Sequence, residues 1–165
     1  MDVKTNSTIA SITDLANKPV ATTAGTTTVR LLRNFEKAKN IDLQEIFGKD
    51  HSESFLLPET DRAVAFDMDD ILLAGKIANA RNPKDFKIVG ESLRTKNQSL
   101  MYRKDDPAMK VIVDRIASDM MKLGDMERLY NKWLMSPIPP NNININYPLN
   151  TETKDAFATP SSKGI

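Results

Sequence analysis

An α/β fold is predicted for this 165-residue chain, and two observations predict it. Short β-branched or apolar runs alternate with helical periodicity in the order strand, helix, strand, short helix, strand, helix, strand, the pattern of a parallel α/β sheet. Three of the runs end in polar groups suited to a ligand: Thr23 with Thr26, His51, and Asp69. Ligands of open α/β sheets sit beyond the carboxyl ends of strands, so these three tips define the candidate site.

Residues 1–8 are polar and without pattern, and read as a lead-in. Ser11 to Ala16 has the look of a short helical turn. Val20 to Thr23 is a compact β-branched run, the composition of a buried strand. Gly25 permits a tight turn and a close backbone approach, and Thr26 or Thr27 is placed to cap the helix behind it. A helix start of this kind offers unpaired N–H groups and the positive end of a dipole, which suits a small anion such as a carboxylate. An ordinary strand–turn–helix join has the same signature.

The helix is expected over Thr27–Asn40, with Val29, Leu32, Phe35 and Ala38 on one face. A strand follows over Ile41–Phe47 and leads through Gly48 to His51, the chain's single histidine. Such a histidine is either a ligand contact or a solvated loop residue. Ser52 is placed to cap a short helix carrying Phe55 and Leu56, which Pro58 limits. Ala63 to Met68 is the best strand pattern, and Asp67, Asp69 and Asp70 open the next helix, Ile71–Ala80. These acids serve either as helix caps or, at a strand tip, as acceptors for an ammonium group. Phe86–Gly90 reads as a strand, Glu91–Ser99 as a connector and Leu100–Arg103 as a short strand. Asp106-Pro107 starts a helix whose stripe is Met109, Ile112, Val113, Ile116, Met120 and Leu123, with Gly124 ending it. Asp125 caps a last helix with Met126, Leu129, Tyr130, Trp133 and Leu134 facing inward. Beyond Pro137, Pro139 and Pro140 a polar tail runs from Asn141 to Ile165.

Composition narrows the function. The 23 basic and 22 acidic residues nearly cancel, so no global field favours nucleic acid or a membrane surface, and the loose basic cluster Arg94–Lys104 reads as a solvated face. There is no cysteine, which excludes disulfides and thiolate metal sites. Residues 1–18 lack the apolar core of a signal peptide, so the chain made as given would stay in the cytoplasm. Gly25-Thr-Thr-Thr lacks the Lys of a P-loop, and neither a Ser–His–Asp set nor a metal cluster is legible. Phe66-Asp-Met-Asp-Asp-Ile resembles the nucleophile motif of haloacid-dehalogenase-type phosphatases, which makes Asp67 and Asp69 with magnesium the enzyme alternative. Ile71 stands where those enzymes often have a hydroxyl, and no downstream acidic pair follows.

Five stretches together resemble the glutamate/aspartate-binding members of the periplasmic solute-binding proteins that feed ATP-driven ABC importers. They are Val20–Thr27, Lys49–Phe55, Arg62–Gly75, Arg103–Pro107 and Lys132–Pro140, and they span the chain from about Ser11 onward. The resemblance implies a type II two-lobed binding fold, no catalysis and no cofactor. On it, residues 1–9 are a truncated lead-in, 10–92 the complete second lobe, 93–99 a return hinge, 100–135 the C-terminal helical part of the first lobe, and 136–165 a proline- and asparagine-rich tail. Most of the first lobe, its carboxylate-binding arginines and the first crossover strand are expected to be missing, which would leave the Asp106–Leu134 helices with an exposed apolar face. Carried over by position, Thr23, Gly25 and Thr26 resemble the second-lobe contacts to the ligand's carboxylates. His51 then faces the side-chain carboxylate and Asp69 takes the α-ammonium. The implied partners are L-glutamate or L-aspartate and the importer's membrane permease, and the implied compartment is the periplasm. Gln98-Ser99-Leu100 departs from the family's Tyr-Gly-Cys-like stretch, and Leu57-Pro58 from its more regular helix. An inert remnant of a longer gene is the remaining alternative.

Overall fold

In the computed structural model, which describes residues 1–95 and 100–161, the chain divides into two units, Met1–Leu93 and Arg94–Ile165. The first is built on five strands: β1 (Asp2–Lys4), β2 (Pro19–Thr23), β3 (Gln44–Gly48), β4 (Ala65–Phe66) and β5 (Phe86–Ile88). Their order across the sheet is β3-β2-β4-β1-β5. β2 runs parallel to β3 and to β4, whereas β1 is antiparallel to both of its neighbours, so the sheet is mixed.

Strand alternation sorts the apolar side chains onto the two faces. Val3, Val20 and Ala65 pack with Leu32 of α1 (Thr27–Lys39), together with Ile9, Leu15 and Leu43. Ala21 and Phe66 pack on the other face, with Phe55 and Leu57 of α2 (His51–Glu59), Leu73 of α3 (Asp70–Ala78) and Phe86. Phe55 anchors that second cluster, its ring edge-on to Phe66 at 6.4 Å and tilted against Phe86 at 5.1 Å. Thr23 continues the register of Ala21, so its side chain belongs to the α2 face.

The stretch read as a patternless lead-in forms β1, in the interior of the sheet. Three residues are too few to show alternation, and Asp2 and Lys4 hide the one apolar residue between them. Asp2 is fully buried and pays for its place with a hydrogen bond: the Phe66 N–H donates to its Oδ1 at 3.1 Å. Burial pushes this carboxyl up to about 7. The run Ala63–Met68 contributes only Ala65 and Phe66 as paired strand. Its extended hydrogen bonding to β2 goes further, from Val64 N–H to Pro19 O (2.9 Å) and from Asp67 N–H to Ala21 O (3.1 Å). The helical turn at Ile12–Leu15 and the helix behind the Gly25 turn form where expected.

In the second unit, α4 (Pro107–Lys122) is capped by Asp106, whose carboxylate accepts from Met109 N–H at 2.9 Å. Gly124 ends it at φ 77°, and α5 (Asp125–Leu134) starts at once, with Gly124 rather than Asp125 at the cap position. Leu100–Arg103 is not a strand, because no neighbouring strand pairs with it among the described residues. The tail is less irregular than its composition suggests. Ile138 and Ile143 form a bridge around a cis Pro139–Pro140 bond, and α6 (Thr151–Ala158), capped by Asn150, packs against α4. None of the described residues of this unit is fully buried. Leu129 and Trp133, expected to face inward, are 41% and 48% exposed, and Ile112 and Ile116 of the α4 stripe are exposed too. Gln98 and Ser99 lie outside the described residues. Among the described residues no helix is long and apolar enough to cross a membrane.

Candidate functional site at the strand tips

The three tips follow neighbouring parallel strands, β3, β2 and β4, and emerge from the same edge of the sheet. Thr23 ends β2 in register with Gly48, the last residue of β3. His51 stands three residues further on, as the first residue of α2 rather than on a loop. The cap of that helix is Asp50, not Ser52: its carboxylate accepts from Ser52 N–H and Glu53 N–H, both at 2.9 Å. These bonds hold the Asp50 carboxyl below the ordinary carboxylate range. Pro58 is accommodated inside the last turn of α2, and Arg62 N–H folds back onto Leu57 O at 2.8 Å to close the segment.

This arrangement brings Thr23 and His51 together. Thr23 Oγ1 lies 2.8 Å from His51 Nδ1 and 2.9 Å from Ser54 Oγ. Ser54, fully buried, also reaches Thr22 O at 3.2 Å and Asp50 O at 2.9 Å. Ser54 was not among the site residues expected from sequence, though the His51-x-x-Ser54 spacing puts both on one helix face. Gly48 makes the approach possible: a Cβ there would sit 2.4 Å from Ser54 Oγ, so any other residue would push α2 off β3.

Gly25 turns the chain at φ 74°, in open space, so the backbone angle rather than crowding calls for glycine. Thr26 occupies the cap position of α1, but its side chain does not cap the helix. Its hydroxyl donates to Thr23 O at 2.8 Å, tying the turn to the end of β2. An open groove of about 520 Å³ runs from Gly25 and Thr26 along α1, past Arg30 and Arg33 to Phe47. Neither His51 nor Asp69 lines it. Arg33 is engaged there by Glu45, at 2.8 and 3.0 Å.

Asp69 follows β4 and takes the cap position of α3 through its carbonyl, which accepts from Leu72 N–H and Leu73 N–H at 3.0 Å. Its carboxylate makes no capping bond, in contrast to Asp70, whose Oδ1 accepts from Ile71 N–H at 2.8 Å. Asp67 is 8% exposed, with Oδ1 3.7 Å from the Met1 ammonium, and burial raises its carboxyl. A nucleophilic aspartate needs to be accessible, and Asp67 is buried. No group of three metal-ligating side chains occurs among the described residues.

No protein-family model matches the chain. It is 41% identical over 160 residues to the L-glutamate/L-aspartate-binding protein of Pseudomonas aeruginosa, a match covering 97% of this chain and 53% of that protein. It is 38% identical over 157 residues to the glutamate/aspartate import solute-binding protein of Escherichia coli, covering 95% of this chain and 52% of the relative. Among solved structures it resembles a probable amino-acid ABC transporter extracellular-binding protein from Bacillus subtilis, with TM-score 0.71 and 22% identity over 81% of this chain and 57% of that one. That likeness bears on the fold alone. The chain spans about half the length of the curated relatives it matches. Those relatives are solute-binding proteins rather than enzymes, and the phosphatase alternative finds no support among them.

Proposed function

We propose that this chain, a homologue over about half their length of the glutamate/aspartate-binding proteins that serve ABC importers, forms one jaw of a clamp for a dicarboxylic amino acid. The tip of β2, Thr23, Gly25 and Thr26, with the start of α1 behind it, faces the carboxylates, His51 meets the side-chain carboxylate, and Asp69 receives the α-ammonium. The ligand is L-glutamate or L-aspartate, held by hinge closure against a second jaw. The jaw works in the periplasm and delivers its ligand to a membrane permease without catalysis or cofactor.

The observation that carries this reading is the Thr23–His51 hydrogen bond of 2.8 Å at tips that neighbour the Asp69 turn. It sets the imidazole beside the start of α1, which suits an anion, and next to the turn that carries the Asp69 carboxylate, which suits a cation. A charge-assisted bond between Asp69 and an ammonium contributes about 1.5–3 kcal/mol. The proposed contacts contain no guanidinium, so the chain by itself should bind weakly, with a Kd of ~1 mM or above.

Titration of ¹⁵N-labelled chain with L-glutamate tests the reading. The amide signals of Thr23, Thr26, His51 and Asp69 should move together and saturate, and Asp69→Asn should abolish the response. Shifts confined to the groove beside Arg30, or none in tens of millimolar ligand, would sink it and leave an inert remnant as the better description.

A further inference from the structure

Ser54 decides where the proton of His51 sits. A serine hydroxyl has one hydrogen to give, and Ser54 Oγ faces two backbone carbonyls, Asp50 O at 2.9 Å and Thr22 O at 3.2 Å. Carbonyl oxygens only accept. If the hydrogen turned instead toward Thr23, both carbonyls would meet a buried hydroxyl lone pair to lone pair at hydrogen-bond distance, with nothing between them. Ser54 therefore donates to the carbonyl pair and can only accept from Thr23 Oγ1 at 2.9 Å. The Thr23 hydroxyl spends its single hydrogen there. Toward His51 Nδ1 at 2.8 Å it can then only accept, so Nδ1 must carry a hydrogen. Among the described residues His51 Nε2 has no hydrogen-bond partner.

We infer that the chain Ser54–Thr23–His51 locks the imidazole as its Nδ1–H tautomer, making Nε2 of this half-buried residue an acceptor when the ring is neutral and a donor only when it is protonated. This rests on the reading of His51 as the contact to the ligand's side chain, and it gives that contact a pH-dependent specificity. A side-chain carboxylate is an acceptor and needs the imidazolium. The matching amide, which offers an N–H, fits the neutral ring. Ser54 is a positioning residue in this scheme, acting on the ligand through Thr23 and His51.

The charged groups around the ring come from three segments. Asp50 and Glu53 lie on its own helix start, with Lys49 just before. From α3, the Lys76 ammonium reaches across to Ser52 Oγ at 2.8 Å, and Asp69 and Asp70 open that helix. β2 brings only the hydroxyl of Thr23. The ring is thus oriented by neutral hydroxyls, and no carboxylate is hydrogen-bonded to Nδ1.

His51 is the only histidine, so imidazole ¹⁵N signals of the labelled full chain report on it without ambiguity. At about pH 8.5, above the range in which imidazoles protonate, Nδ1 should appear protonated and Nε2 bare. The reverse would overturn the inference. Ser54→Ala frees the Thr23 hydroxyl to donate to Nδ1 and should move the population toward Nε2–H. Thr23→Ser keeps the hydroxyl and should keep the Nδ1–H form, which guards against a Ser54 variant that fails to fold. Titrations with L-glutamate and L-glutamine at about pH 5.5 and 8.5 read the consequence: the glutamate-to-glutamine preference should fall from the lower pH to the higher, by up to about tenfold for each unit over which the required proton is lost. A preference unchanged across that range would refute the specificity role. Absence of binding for both ligands at both pH values would refute the clamp reading instead, and the imidazole signals would still decide the proton assignment.

Discussion

The two units of this chain are made of similar residues and solve different problems. Met1–Leu93 buries fifteen apolar side chains, fourteen of them in two layers on either face of a sheet, with Phe66, Leu15, Leu32 and Leu73 fully enclosed. Arg94–Ile165 has amphipathic helices with well-formed ends, yet none of its described residues is enclosed. Helix formation is a local matter of caps and periodicity, whereas an interior needs surfaces to face one another. The difference teaches that an apolar stripe is evidence for a helix and not for a core.

Core truncations should break the symmetry of the two units most visibly. Phe66→Ala removes a fully buried ring that contacts Phe55, and it should cost about 3–5 kcal/mol. Ile116→Ala, at a position 49% exposed, should cost less than about 1 kcal/mol. Urea titration followed by amide hydrogen exchange assigns each loss to its unit. Equal losses would mean that α4 has an interior after all.

The same contrast governs what was legible in the sequence. Val20–Thr23 and the α1 stripe were readable because several residues share one period, and the tips Thr23, His51 and Asp69 followed from where those runs stop. β1 was not, because a three-residue strand containing Asp2 carries no periodicity and is defined by its partners Phe66 and Ile88. Its antiparallel direction was hidden for the same reason. Ser54 escaped because its role is set by distances to Thr23 and to two carbonyls, which only the fold creates. In the second unit the helices were predictable and their inward faces were not, since nothing in Leu129 or Trp133 says what lies opposite. α6 was obscured by its polar composition, although Asn150 and its bond to Thr153 N–H (2.8 Å) are an ordinary cap.

A pH titration sharpens the comparison next, because among the described residues only the first unit places carboxyls inside. Asp2 titrates near 7 when folded and near 3.8 when unfolded, owing mainly to burial. Between those values the folded state holds the extra proton, so stability should be greatest near the lower value and fall as pH rises toward neutrality. At 1.36 kcal/mol per unit the ceiling on that loss is about 4 kcal/mol. Asp2→Asn keeps an acceptor for Phe66 N–H and removes one of two buried carboxyls, so its stability should fall less steeply over the same range than that of wild type and be higher at pH 8, the remaining slope belonging to Asp67. Parallel curves for the two proteins would show that Asp2 is not the group responsible.

Helix caps supply the smallest and cleanest test, because each unit has an aspartate doing the same local work. Asp50→Ala and Asp106→Ala each remove a carboxylate that accepts from first-turn N–H groups, and each should cost about 1 kcal/mol of local helix stability. The consequences diverge beyond that number. Fraying α4 disturbs a helix without an interior, and hydrogen exchange should quicken only around Met109. Fraying α2 releases His51 and Ser54 from the end of β2, so the imidazole signals should change as well, and the backbone amides of Thr22 and Thr23 should lose protection. If Asp50→Ala left the His51 signals untouched, the helix start would not be what holds the imidazole against Thr23. Ser54, packed from α2 against Gly48 of β3, would then be the anchor.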